Sequence, residues 1–292
     1  MPSSRSTGAR SGTLDVANHD RDVLGLQYVY PVVSRRAGGV SVGINLNPNN
    51  ACNWACVYCQ VPGLVRGNAP EIDLVLLRDE LRWLLRQIVQ GDFMQERVPP
   101  EARRLNDIAF SGNGEPTSAR CFAAAVELVA EVLGEFDLLG RIKLVLITNG
   151  SLIGRPAVQQ GLRRMAGLNG EVWFKLDRGN AEDIAQVNQV NLQPEAQLRN
   201  LVRCASLCPT WVQSCYFAWD GCMPSDAAVD DYLDILRRAV SAGAKLQGVL
   251  LYGLARPSQQ PQAPHLSSAP LAWMQALAEK IQALGLNVKL SA

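Results

Sequence analysis

The 292-residue chain is 48% apolar and 19% charged, with a formal net charge of +1. That balance is ordinary for a globular protein, and its near-neutrality argues against a large nucleic-acid interface, which needs a basic face. No apolar run reaches the roughly 18 residues of a membrane span, and the opening MPSSRSTGARSGT lacks the apolar stretch of a secretory signal.

In chain order, residues 1–20 read as a disordered tail and residues 21–292 as one domain. A strand at 39–46 (GVSVGINL) runs directly into NPNNACNWACVYC. Leu77, Leu81, Leu84, Leu85 and Ile88 then recur at helical spacing. A strand at 107–111 (DIAFS) ends in SGNGEPT, and the next helical stripe is Phe122, Val126, Val129 and Leu133. Strands at 142–148 (IKLVLIT) and 171–177 (EVWFKLD) end in TNGS and KLDRG. Pro194 suits the first turn of a helix bearing Leu198, Leu201 and Val202. A strand at 210–219 (TWVQSCYFAW), a helix with Val229, Leu233, Leu236 and Val240, and a strand at 246–252 (LQGVLLY) follow. The sixth strand ends in YGLARP. PSQQPQAPHLSSAP (257–270) reads as a loop before a last helix stopped by Gly285, and NVKL at 287–290 forms a closing strand.

This strand–helix alternation predicts an α/β fold with a mainly parallel sheet and right-handed crossovers, either an open sheet or an incomplete barrel. In both, ligands gather at the C-terminal strand ends. Those ends are where glycines and polar residues concentrate here.

Cys52, Cys56 and Cys59 are spaced C-x3-C-x2-C. The eight cysteines, with no secretion signal, imply a reducing, cytoplasmic setting in which clustered thiols bind metal or do redox work. A structural zinc or a cubane cluster each takes four ligands. The two histidines, His19 and His265, are remote in sequence. A fourth cysteine from elsewhere, or a four-iron cluster with one iron open to an amino and carboxylate ligand, are the alternatives.

The C-x3-C motif, followed by an aromatic residue and the third cysteine after the first strand, resembles the signature of the radical S-adenosylmethionine (SAM) superfamily. SGNGEPT is similar to that superfamily's glycine-rich glutamate motif. TNG, KLD and YGLARP look like the subgroup of iron–sulfur oxidoreductases related to wyosine-base synthases. The resemblance runs from about Tyr28 to Leu290 and implies a partial (β/α)6 TIM-like barrel closed by a C-terminal strand–helix–strand unit. It implies a [4Fe–4S] cluster on Cys52, Cys56 and Cys59, with SAM on the fourth iron. Tyr58, Gly112, Asn113, Gly114, Glu115, Asn149 and Asp177 become the SAM contacts, with Glu115 pairing the ammonium and Tyr58 packing beside the adenine. An external one-electron donor of flavodoxin or ferredoxin type is the implied partner.

Other roles compete at some of these positions. Glu115 also suits a helix cap, Asn149 an Asn-Gly turn, and Asp177 an anchor for Arg178 or a loop backbone. Lys175, Gln213, Cys215, Tyr252 and Arg256 are the expected substrate-side residues, with a strand-layer ion pair or loop packing as the structural alternative. Cys204, Cys208, Cys215 and Cys222 raise a second cluster, although Cys204 and Cys208 also suit core packing. The subgroup's transfer-RNA chemistry is weakened by the absence of a cysteine before Cys52 and of a concentrated basic surface. A small-molecule substrate is therefore expected over RNA, with an RNA-base modifier and a non-catalytic iron–sulfur or zinc protein as alternatives.

Overall fold

The computed structural model describes residue 14, residues 24–34 and residues 38–291. The segment expected to be a disordered tail lies outside these, except for Leu14, which is buried and donates its N–H to Arg97 O at 2.7 Å.

The first strand of the sheet was not expected. Val29–Ser34 (β1) pairs antiparallel with Gly39–Ile44 (β2) as a hairpin. Two-residue strands Ala51–Cys52 (β3) and Val65–Arg66 (β4) pair and bracket the cysteine loop. The chain then continues through α1 (Leu74–Val89), α2 (Phe93–Arg97), β5 (Leu105–Phe110), α3 (Phe122–Glu135), β6 (Lys143–Thr148), α4 (Pro156–Ala166) and β7 (Gly170–Lys175). Its second half comprises α5 (Ala181–Asn188), α6 (Pro194–Leu207), β8 (Thr210–Cys215), β9 (Phe217–Trp219), α7 (Asp226–Ser241), β10 (Leu246–Tyr252), β11 (Leu266–Ser268), α8 (Leu271–Gln282) and β12 (Val288–Ser291).

The main sheet has the order β1-β2-β5-β6-β7-β8-β10-β12, parallel throughout except for β1. Strands β2, β5, β6, β7, β8 and β10 alternate with helices along the chain, and α8 leads from β10 into the last parallel strand, β12, in one α/β domain. The strand faces turned toward the helices build the main core. The concave face carries its own apolar belt of Ala109, Val145, Trp173 and Leu250, flanked by Ile147 and Trp211. Burial on both faces is why these strands read as nearly unbroken apolar runs.

Local chemistry accounts for the helix ends. Asp73 caps α1 by accepting from the N–H groups of Val75 and Leu76 at 2.9 and 3.0 Å, and Ser225 caps α7 through Ala228 N. The five residues of the α1 stripe are all buried. In α7 the buried face ends on Ala239, and Val240, expected in the stripe, is 40% exposed. The run 210–219 is broken into two strands: Tyr216 N donates to Tyr252 O at 3.0 Å, ending the β8 ladder, and β9 turns away to pair with β11. Among the described residues no helix is long and apolar enough to cross a membrane.

Candidate active site

The cysteine loop leaves β2 at its C-terminal end and is braced by its own asparagines. Asn45 Oδ1 accepts from the backbone of Asn47 and of Asn113, each at 3.0 Å, joining this loop to SGNGEPT. Asn47 Nδ2 holds Ala51 O at 2.9 Å. A Cβ at Gly114 would lie 2.1 Å from Ala51 O, and Gly112 has φ +156°, so both positions need glycine for the two loops to approach this closely. From the other side, Ala55 N and Val57 N donate to Asn188 O and Val187 O at the end of α5.

A third brace comes from the segment expected to be a plain loop. Ser258 Oγ donates to Val57 O at 2.6 Å and to Cys59 O at 3.2 Å. Gln260 Nε2 donates to Cys59 O at 3.1 Å and Val61 O at 2.9 Å, and Gln259 N reaches Cys59 O at 3.0 Å. The Gln/Pro-rich stretch therefore straps the cysteine loop through its backbone carbonyls.

Tyr58, between Cys56 and Cys59, turns inward against Phe217, with ring centroids 5.7 Å apart. Its hydroxyl donates to Asp177 Oδ2 at 2.5 Å. The same oxygen accepts from Asn188 Nδ2 at 2.8 Å, and Asp177 Oδ1 accepts from Cys215 N at 2.9 Å. Asp177 is fully buried. It ties the cysteine loop, the end of α5 and the end of β8 together.

These elements enclose a cavity of about 320 Å³ at the C-terminal ends of the strands. Every residue expected at the site lines it except Asp177, whose carboxylate is taken up behind the wall. Cys52, Cys56, Cys59 and Tyr58 line it from the first loop, and Gly112, Asn113, Gly114, Glu115 and Asn149 from the next two. Lys175, Gln213, Cys215, Tyr252 and Arg256 form the far wall. Sequence reasoning missed Tyr30, Ser41, Asp107, Ser111 and Trp173, which also line the cavity. Tyr30 OH and Ser111 Oγ lie 2.9 Å apart, and Ser41 Oγ donates a short bond to Asp107. The available signal was a polar residue inside an otherwise apolar strand, as at Ser41 in GVSVGINL and Asp107 in DIAFS.

Glu115 is 2% exposed. Its Oε1 accepts from Thr117 N, Thr117 Oγ1 and Thr148 Oγ1, and its Oε2 from Asn149 N at 2.7 Å. Burial pushes its pKa up, against these bonds, which pull it down. Among the described residues Oε2 accepts only from Asn149 N and so keeps a lone pair for a further donor. Asn149 spends its side chain on bracing: Nδ2 donates to Asn53 Oδ1 at 2.8 Å, and Oδ1 accepts from Ser151.

Burial also pushes the Cys52 thiol up to about 11 and the Cys56 thiol up to about 12. A metal bound here must therefore displace protons. Among the described residues no three His, Cys, Asp or Glu side chains stand close enough together to hold one metal ion. For Lys175, burial disfavours the charge, but Tyr252, Asp177, Cys56 and Cys215 outweigh it and leave its pKa above the usual lysine value. Cys204 and Cys208 are buried in the main core, with Thr210 Oγ1 donating to Cys204 Sγ at 3.5 Å, while Cys222 is exposed.

No family model matches the chain. It is 29% identical over 161 residues to a protein of Brachyspira hyodysenteriae named GTPase Obg, matching 55% of this chain and 20% of that one. It is 30% identical over 160 residues to the UPF0026 protein MJ1312 of Methanocaldococcus jannaschii, 54% of this chain and 43% of the relative. A Helicobacter pylori UPF0026 protein is 29% identical over 134 residues, 46% of this chain and 38% of the relative. The chain thus spans less than half the length of the curated relatives it matches, and it contains no G-x-x-x-x-G-K-[ST] phosphate loop. Among solved structures, a radical SAM methyltransferase from Sphaerobacter thermophilus superposes with a TM-score of 0.57 at 16% identity, over 86% of this chain and 66% of that one. The chain shares the fold of that enzyme.

Proposed function

We propose that the chain is a radical SAM enzyme of the iron–sulfur oxidoreductase type related to wyosine-base synthases, acting on a small molecule and fed by an external one-electron donor. The observation that carries this is the convergence of Cys52, Cys56 and Cys59 with Glu115 on one cavity at the strand ends. The residues fit the cofactors. Three free thiols border the cavity from a single loop, and Glu115 Oε2 keeps a lone pair for an ammonium. The loops approach so closely that side chains at Gly112 and Gly114 would collide with Asn45 and Ala51.

Cys52, Cys56 and Cys59 would hold a four-iron cluster, which would supply the one-electron chemistry that cleaves S-adenosylmethionine. The chain's own residues prepare the site. Glu115 Oε2 would accept from the cofactor's ammonium while its other oxygen stays tied to Thr117 and Thr148. Asn149 positions by bracing, through Glu115 and Asn53. Asp177 acts behind the wall, aligning Tyr58. The apolar belt of Ala109, Ile147 and Trp173 keeps water from the cavity floor.

Anaerobic reconstitution with iron and sulfide, followed by dithionite and SAM, tests the proposal. The expected result is about four irons per chain, a cluster EPR spectrum perturbed by SAM, and 5′-deoxyadenosine as product. Zinc as the sole stoichiometric metal, or a loaded cluster that leaves SAM intact, overturns it.

A further inference from the structure

The cysteine loop and Glu115 claim one side of the cavity. A second wall, which meets the cysteine loop where Lys175 Nζ lies over the Tyr58 ring, is built from three neighbouring parallel strands. Lys175 on β7 is in register with Gln213 on β8, and Cys215 is in register with Tyr252 on β10. All four face the concave side and line the cavity.

Two polar groups on this wall are left incomplete. Lys175 Nζ has one hydrogen-bond partner among the described residues, Tyr252 OH at 3.3 Å, and sits 4.7 Å over the Tyr58 ring. No carboxylate of the described residues lies within 4.0 Å of it. An ammonium carries three donors, so two are unused. Gln213 is 2% exposed, yet its Oε1 has no hydrogen-bond partner among the described residues. Buried polar atoms are normally paired, and each exception calls for an explanation. Next to this pair the wall becomes apolar at Trp173 and Ile147.

Resting on the reading of this cavity as a radical site, we propose that Lys175 and Gln213 form the head-group subsite of the substrate. The substrate class is a small organic carboxylate with a hydroxyl or amine on the adjacent carbon and an apolar body. The carboxylate accepts from Lys175 Nζ, the neighbouring donor satisfies Gln213 Oε1, and the body lies against Trp173 and Ile147. Lys175, with its ammonium, stands in register beside Gln213, and a carboxylate with a donor on its adjacent carbon satisfies both, whereas a phosphate dianion brings no donor for Gln213 Oε1. Tyr252 positions the ammonium through its hydroxyl.

The test is ligand-observed NMR titration of the anaerobically reconstituted chain saturated with SAM. The probes are 3-phenyllactate, its neutral amide and phenyl phosphate. The acid is expected to bind alongside SAM, at least about tenfold more tightly than the amide or the phosphate. Lys175→Gln and Gln213→Leu should each weaken the acid at least about fivefold, and Lys175→Arg should largely restore it. Failure of all three probes to bind, equal binding of acid and amide, tighter binding of the phosphate, competition with SAM, or an acid affinity indifferent to Lys175→Gln overturns the proposal. If Lys175→Gln fails to fold, Gln213→Leu, close in size, carries the same comparison. Iron content and 5′-deoxyadenosine are measured on the same preparation. A preparation lacking both sinks the radical reading itself, whereas a loaded, SAM-cleaving enzyme without carboxylate preference sinks only the subsite.

Discussion

Replacing Asp177 by alanine strips the partner from three buried donors at once. Tyr58 OH, Asn188 Nδ2 and Cys215 N, now 2.5 to 2.9 Å from the carboxylate, are left facing a methyl group. An orphaned buried donor costs about 1–3 kcal/mol. The three costs do not simply add, because Asn188 Nδ2 also reaches Cys56 Sγ at 3.3 Å and keeps that weaker partner. Removal of a buried charge also relieves its own desolvation. A net loss of about 3–5 kcal/mol follows, in line with breaking other buried charged networks. At about 2 °C per kcal/mol for a chain of this size, the melting temperature should fall by roughly 6–10 °C. Asp177→Asn keeps one acceptor but turns a donor toward at least one of the three, and should cost roughly half as much. Urea denaturation of the metal-free chain reads both values, and unchanged slopes would show that stability alone has moved. Reconstituted Asp177→Ala should also take up less iron, because Tyr58 lies between two of the three cysteines. A loss below about 1 kcal/mol for Asp177→Ala would refute the assignment of Asp177 as the tie between the cysteine loop, α5 and β8.

The Ser258→Ala/Gln260→Ala pair should loosen the cysteine loop without touching the main core. Faster amide exchange at Cys56–Val61 and quicker loss of iron in air are expected, at a stability cost of about 1–3 kcal/mol; unchanged exchange there would remove the strap's role. High pH should destabilise the chain through its buried thiols. Burial raises Cys204 and Cys208 to about 12 from an ordinary value of 9.0, so the unfolded chain gives up these protons first. Their contribution is complete below pH 9 and is lost as pH rises through 9 to 12, by about 1.4 kcal/mol per pH unit for each thiol. Denaturation midpoints of the metal-free chain between pH 8.5 and 10 should show this fall, and Cys204→Ala should shallow it; a flat profile would contradict the burial argument.

Much of the architecture was legible because it depends on short-range pattern. The alternation of apolar runs and helical stripes located five of the six parallel strands and the closing strand to within about two residues, because a strand buried on both faces is predominantly apolar. The fifth run, 210–219, ends as a strand at Cys215. Glycines and asparagines marked the strand ends because the loops there must turn sharply and approach one another. The family resemblance implied that the three cysteines and Glu115 serve one site, and parallel units deliver every strand end to the same rim.

What remained hidden depends on pairings between distant positions. VYPVVS gave no reason to pair antiparallel with the first parallel strand; that choice is made by the edge of a sheet already formed. The Gln/Pro-rich segment looked like slack, but about 200 residues after the cysteine loop it supplies donors to three carbonyls of that loop. Asp177 read as a cofactor ligand because it stands at a strand end, and only packing shows its carboxylate consumed by Tyr58, Asn188 and Cys215. The spacing of Cys52, Cys56 and Cys59, a one-dimensional property, marks them as clustered thiols that bind metal or do redox work, and the family resemblance implies the four-iron cluster. Whether a strand-end carboxylate faces a ligand or the wall behind it depends on which donors the rest of the fold brings within 3 Å, and that is decided in three dimensions.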